Sequence, residues 1–163
     1  MKNQEQKILV VDDSKLSAST LCSQLKKAGF EVFMVYSGEE AIHFVQKNKV
    51  DLVLLDIMMP GISGIGVLKF IRCHFSPAQL PVLMVTALDD EEIIVEALKE
   101  GANDYIIKPI NFKVSLGRLK AHLHLKVNRS ISLKESELKA FRSLIVTYNH
   151  EINGPLSSCY QER

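Results

Sequence analysis

The chain has no tryptophan, and its three cysteines (Cys22, Cys73 and Cys159) are scattered, odd in number and without CxxC spacing. That usage reads as reduced thiols in a cytosolic protein, two of them packed in helices. Long apolar runs are missing too. The opening MKNQEQKILVV offers four apolar residues before two aspartates, too short for a signal peptide or a membrane span. The chain is therefore expected in the cytoplasm, unless it belongs to a larger membrane-anchored protein. An excess of either charge is also lacking. Residues 1–125 carry 14 Lys+Arg against 15 Asp+Glu, net −1, and residues 126–163 carry 6 against 4, net +2. Neither part has the basic surplus of a nucleic-acid binder. No GxxxxGK occurs, and GISGIG (Gly61–Gly66) is not GxGxxG, so it reads as a loop and not a nucleotide cradle. What remains is 163 residues, one ordinary domain with a short appendage.

Five short apolar runs recur about every 19 to 31 residues: KILVVDD (Lys7–Asp13), EVFMVYS (Glu31–Ser37), VDLVLLD (Val50–Asp56), PVLMVTA (Pro81–Ala87) and DYIIKPI (Asp104–Ile110). The first, third and fourth lack apolar/polar alternation, as strands buried on both faces do. Helical patterns lie between them. Ser14–Ala28 sets Leu16, Leu21 and Leu25 on one side and stops at Gly29. Ser37 and Glu40 form a capping box for a helix to about Asn48. Gly64 to about Phe75 carries Ile65, Leu68 and Ile71, and Asp89–Glu100 starts acidic and stops at Gly101. This (βα)₅ alternation implies a parallel sheet covered by helices on both faces.

Beyond Ile110 the texture changes. Asn111 can cap a helix, and no Gly or Pro falls between Gly117 and Gly154. Leu116, Leu119, Leu123, Val127 and Ile131 lead into Leu138, Phe141, Ile145, Tyr148 and Ile152, the last five spaced 3, 4, 3, 4 as in a heptad seam. The 4, 4 step from Leu123 through Val127 to Ile131 resembles a stutter. A parallel two-stranded coil fits this stripe; a long helix packed on its own domain is the plainer alternative.

Open α/β sheets bind ligands at the carboxyl ends of their strands. Here those ends carry Asp12 and Asp13 (strand one), Asp56 (strand three), Thr86 (strand four) and Lys108 (strand five). In a doubly wound sheet strands one and three are adjacent, so three carboxylates converge. Like charges that close raise one another's pKa or require a cation, and Mg²⁺ suits a few carboxylates and several waters. A carboxylate flanked by Mg²⁺ and Lys108 is placed to attack a phosphoryl group, while Thr86 offers a hydroxyl to its oxygens. Each feature alone has a bland reading: Asp-Asp or Ser14 as a helix cap, Lys-Pro as a surface turn. Their meeting at one sheet edge points to a site.

ILVVDD, LVLLDIMMPGISG, PVLMVTA and GANDYIIKPI together resemble the receiver domain of two-component response regulators, over residues 6 to about 125. The resemblance implies a flavodoxin-like sheet of order 2-1-3-4-5 and makes Asp56 the phosphoacceptor. Asp12 and Asp13 become the acidic pair at the Mg²⁺ site, with Asp13 the more direct ligand and Met58 lending its backbone carbonyl. Thr86 and Lys108 take the phosphoryl oxygens, and the Lys108–Pro109 bond is expected cis. Tyr105 matches the aromatic switch position, with an edge aromatic covering the sheet as its alternative. The implied partners are a cognate histidine kinase or phosphotransfer protein.

Residues 126–163 read as a helical linker or coil that makes the chain a homodimer. HEINGPL (His150–Leu156) resembles the phosphoacceptor box of histidine-kinase dimerisation helices, with His150 as acceptor and Glu151 as base. Gly154 departs from the Asn, Thr or Arg usual there, and no ATP-binding domain accompanies the segment, so this stretch alone cannot take phosphate from ATP. One reading is thus a phosphorylation-dependent switch with a dimeric output helix. Another is the front of a hybrid sensor histidine kinase. A haloacid-dehalogenase-like hydrolase needs a DxD on the nucleophile strand, which VVDDSK and LLDIMM lack.

Overall fold

The structure, a computed structural model, describes residues 4–87 and 91–159, with side chains described through Tyr148. Five strands alternate with five helices: β1 (Lys7–Val11), α1 (Lys15–Lys27), β2 (Glu31–Val35), α2 (Gly38–Lys47), β3 (Leu52–Asp56), α3 (Gly64–His74), β4 (Val82–Thr86), α4 (Glu91–Lys99), β5 (Asp104–Ile107) and α5 (Phe112–Cys159). The expected start of α4 at Asp89 lies outside the described residues. All strand pairs are parallel, in the order β2-β1-β3-β4-β5, the flavodoxin-like topology expected.

Strand burial follows position in the sheet. β3 and β4 are buried at every residue and β1 at four of five. The edge strands β2 and β5 mix buried with half-exposed or exposed positions, as strands with one open edge do. Successive side chains in the central strands enter opposite layers. Leu9, Val11, Val53, Leu55, Val82 and Met84 join a core with α2, α3 and α4. Ile8, Val10, Leu52, Leu54, Leu83 and Val85 join a second core with α1 and α5.

The helix signals hold, with corrections. Ser14 caps α1, Ser37 caps α2 and Ser63 caps α3, each hydroxyl accepting a backbone N–H three residues on. Glu40 completes its box one residue early, accepting from the Tyr36 N–H at 2.9 Å. Asn111 Oδ1 accepts from the Val114 N–H at the start of α5. Leu16, expected on the buried side of α1, is instead 80% exposed. The helix buries Ala18, Leu21, Cys22 and Leu25, and that i, i+3, i+4, i+7 stripe turns Leu16 to solvent. Cys22 is buried as expected, but Cys73, though helical, is exposed; the Cys159 side chain lies outside the described ones.

The chain divides after Lys126 into two compact units, residues 1–126 and 127–163. In the first unit α5 packs Leu119 and Leu123 into the core, each 2% exposed. Lys126 donates to Asp51 Oδ1 at 3.1 Å, and Asp51 Oδ2 accepts from the Lys7 N–H at 2.8 Å. One carboxylate thereby joins the last turn of this unit to the start of β1. In the second unit every described side chain from Val127 to Tyr148 is exposed. Leu123 is thus a core residue, and the 4, 4 step marks where the apolar stripe leaves the core.

Candidate functional site

The carboxyl ends of β1, β3, β4 and β5 share one edge. Asp12 follows the last residue of β1, Asp56 ends β3, Thr86 ends β4 and Lys108 follows β5. The register sets Asp56 beside Val85 and Thr86 beside Ile107. Asp12 and Asp56 are 5% and 6% exposed, Thr86 is fully buried and Asp13 is exposed. One carboxylate oxygen each from Asp12, Asp13 and Asp56 lie within 4.8 Å of one another. Such a trio of hard oxygens, partly open to water, fits a small divalent cation such as Mg²⁺.

Lys108 reaches the two buried acids. Its Nζ donates to Asp12 Oδ2 and to Asp56 Oδ2, at 2.9 Å each. The remaining oxygens are held by backbone: Asp12 Oδ1 accepts from the Ser14 N–H at 2.9 Å, and Asp56 Oδ1 from the Met58 N–H at 3.1 Å. The Lys108–Pro109 bond is cis, as expected, and the Lys108 N–H donates to the Thr86 carbonyl at 2.7 Å. These contacts fix the root of the lysine at the end of β4.

The two acids titrate in opposite directions. Burial pushes Asp12 up, but the bonds from Lys108, the Ser14 amide and Ser17 outweigh it and leave Asp12 below its ordinary value. Burial also pushes Asp56 up; Lys108 and the Met58 amide offset only part of this and the Asp12 charge adds to it, so Asp56 stays raised. Burial lowers Lys108, yet Asp56 and Asp12 overcome that and raise it. Lys108 is therefore an ammonium at neutral pH, and the Asp56 carboxylate is the less comfortable of the two anions.

The loop after β3 carries details that composition hides. The Gly64 N–H donates to the Ile57 carbonyl at 2.9 Å, and a β-carbon on Gly64 would collide with the Asp56 carbonyl oxygen. Gly64 thus permits the return of the chain against Asp56, and its only sequence signal is its place three residues after Gly61. The Met58 side chain is 60% exposed. With Leu16, in the first turn of α1, it leaves apolar surface on the two segments that follow the acidic residues; sequence spacing did not single this out. Tyr105 is half-buried against the α2–α3–α4 core, and its carbonyl accepts from Arg118 at 2.8 Å. The backbone at His150 and Glu151 is helical, and their side chains lie outside the described ones.

A five-stranded parallel sheet with this order and a lysine-braced acidic pocket at its carboxyl edge defines a flavodoxin-like α/β domain of the two-component kind. The chain belongs to the response regulator receiver domain family, which it matches over residues 8–120. It is similar to a putative response regulator from Chloroflexus aurantiacus, at 35% identity over 74% of this chain and 99% of that one, TM-score 0.70. A two-component response regulator from Clostridium difficile matches at 32% identity, over 74% and 97% of the chains, TM-score 0.70. The BeF3-activated receiver domain of Klebsiella pneumoniae RstA matches at 34% identity, over 72% and 98%, TM-score 0.68.

Proposed function

We propose that the chain is a phosphorylation-dependent signalling switch that accepts a phosphoryl group on Asp56. One observation carries this: the raised Asp56 carboxylate meets the Lys108 ammonium at 2.9 Å beside two further carboxylates. Asp12, Asp13 and Asp56, with the Met58 backbone carbonyl, are the groups that would hold Mg²⁺. When bound, the ion supplies positive charge against the transferring oxygens. An Asp56 oxygen forms the new bond to phosphorus, the bond to the donor's nitrogen or oxygen breaks, and the leaving group takes up a proton. Lys108 bonds one phosphoryl oxygen and the Thr86 hydroxyl another. The donor is a histidine kinase or phosphotransfer protein; receivers interact with such partners. Incubation with acetyl phosphate and Mg²⁺ tests the reading: one base-labile phosphoryl group is expected on the wild type and none on Asp56→Asn. Undiminished labelling of that variant would overturn it.

Output follows from the same contacts. Thr86 moves towards the phosphoryl group, Tyr105 turns inward behind it, and the surface of α4, β5 and α5 changes partners. The helix beyond Lys126 then carries the state of Asp56 outward as one strand of a homodimer. No described helix is long and apolar enough to cross a membrane, and this reading places the chain in the cytoplasm. A variant of it makes the chain the front of a hybrid sensor kinase, with His150 a second acceptor and Glu151 its base. In its favour, α5 continues helical past His150 to Cys159.

A further inference from the structure

We infer that the helix from Val127 to Tyr148 pairs with a second copy of this chain in parallel and in register, with Glu137 facing the partner's Arg142. The inference rests on the proposed dimeric helix and adds its orientation and the charges that set it. Val127, Ile131, Leu138, Phe141, Ile145 and Tyr148 are 44% to 63% exposed. They occupy successive a and d positions of one heptad frame (Val127 at d, Ile131 at a), and Lys134 fills the d position between Ile131 and Leu138. No stutter is needed once Lys134 is counted in the seam. Such a frame keeps its stripe on one side when helices supercoil around one another.

The flanking charges choose the arrangement. In a parallel, in-register pair each g residue meets the partner's e residue five positions on. Glu137 is at g and Arg142 at e, so two symmetry-related Glu137–Arg142 pairs form. A d side chain packs beside the partner's e residue, which sets Lys134 next to the partner's Glu135. None of these four side chains has an ion-pair partner among the described residues of its own chain, and all four are exposed. An antiparallel pair sets g against g, which separates Glu137 from Arg142, and lays Ile145 against Lys134. The complementarity exists only in the parallel pair. Lys134 in the seam costs stability and penalises other registers, as single polar seam residues do.

Disulfide trapping tests the arrangement. In this chain with Cys22→Ala, Cys73→Ser and Cys159→Ser, single cysteines are placed by Ile131→Cys or Tyr148→Cys, positions that the antiparallel pair would set against each other. Each variant alone should cross-link to a covalent dimer under mild oxidation. Cross-linking only when the two variants are mixed would mean an antiparallel pair and overturn the inference while leaving a dimeric helix standing. A trimer by sedimentation equilibrium, or a dimer in which neither cysteine cross-links, also overturns it. A monomer sinks the dimeric helix itself. Charge reversal gives a second readout. Glu137→Arg or Arg142→Glu should each raise the dimer dissociation constant about tenfold, and the double variant should return it to near the wild-type value. A double variant as weak as the singles removes the Glu137–Arg142 pairing.

Discussion

The Lys108 ammonium donates a 2.9 Å bond to Asp56 Oδ2 from 52 positions further along the chain. The same nitrogen holds Asp12 at an equal distance, so one cation spans the ends of β1 and β3 from the end of β5. Two buried carboxylates this close would repel strongly in a medium of low dielectric. The lysine therefore supports the site's structure as well as its proposed chemistry, and the two roles can be separated.

Replacing Lys108 by alanine removes the shared donor and leaves both acids facing each other. Without divalent cations, Lys108→Ala should lose about 2 kcal/mol, a melting midpoint lower by roughly 4–8 °C. Saturating Mg²⁺ should recover much of that loss, because an ion among the three carboxylates does the same electrostatic work. Labelling by acetyl phosphate should stay slow even with Mg²⁺ present, by about a hundredfold or more, since a positioned donor to the transferring oxygens is lost. Calorimetry with and without Mg²⁺ and a labelling time course check the two halves.

The opposite shifts of Asp12 and Asp56 give variants of opposite sign. Asp12 is lowered in the folded state, so its ionised form stabilises the fold above its ordinary value of 3.8 and that contribution fades as pH falls below it. Asp56 is raised, so its ionised form costs stability at neutral pH, and the cost is relieved as pH falls through the folded value towards 3.8. Without metal at neutral pH, Asp56→Asn should raise the melting midpoint by a few degrees and Asp12→Asn should lower it. The gain from Asp56→Asn should shrink on acidification from neutrality towards pH 4, whereas the loss from Asp12→Asn should hold until below that. Thermal melts across this range decide the matter; a common sign for the two variants contradicts it.

Gly64 predicts a packing defect beside the acceptor. Gly64→Ala sets a β-carbon against the Asp56 carbonyl oxygen and the Ile57 backbone, neither of which is a flexible side-chain end. The expected cost is about 2 kcal/mol, with slower labelling because the Asp56 end of β3 must shift. A chemical-denaturation midpoint and a labelling rate equal to wild type would show that the loop yields freely.

Much of this was legible because short-range patterns map directly onto backbone periodicity. Uninterrupted apolar runs marked β1, β3 and β4 as central, and Ser14 and Ser37 placed two helix starts to within a residue. Asp12, Asp56, Thr86 and Lys108 were readable because each ends or follows a run, and parallel strands bring such ends to one edge. Leu16 was misread because apolar character alone does not give phase; Ala18 and Cys22, less conspicuous in sequence, define the buried stripe of α1. Asp51 and Lys126 left no signal at all, because their contact bridges 75 positions and nothing local prefigures it.

Arg72 is the clearest case of a role that only the structure reveals, and it makes the last prediction. Near the end of α3 its guanidinium donates to the carbonyls of Gly101 (2.8 Å), Leu80 (2.9 Å) and Phe75 (3.2 Å), and to Asn103 Oδ1 (3.0 Å). Asn103 in turn accepts from the Val82 N–H and donates to the Pro77 carbonyl. The pair thus ties the end of α3, the start of β4 and the turn into β5 at the sheet edge opposite the acidic pocket. Burial with neutral partners lowers the Arg72 pKa to about 10, so it remains charged at neutral pH at a real cost in solvation. A lysine has a single donor atom and cannot serve four acceptors in this fork. Arg72→Lys should therefore cost about 2 kcal/mol and Arg72→Ala about 3 kcal/mol in unfolding free energy. Phosphodonor labelling of Asp56 in the still-folded protein should stay within about twofold of wild type, because no described contact of Arg72 reaches that pocket. Urea denaturation gives the first number and a labelling time course the second. A lysine variant as stable as wild type would reduce the network to a set of solvated carbonyls.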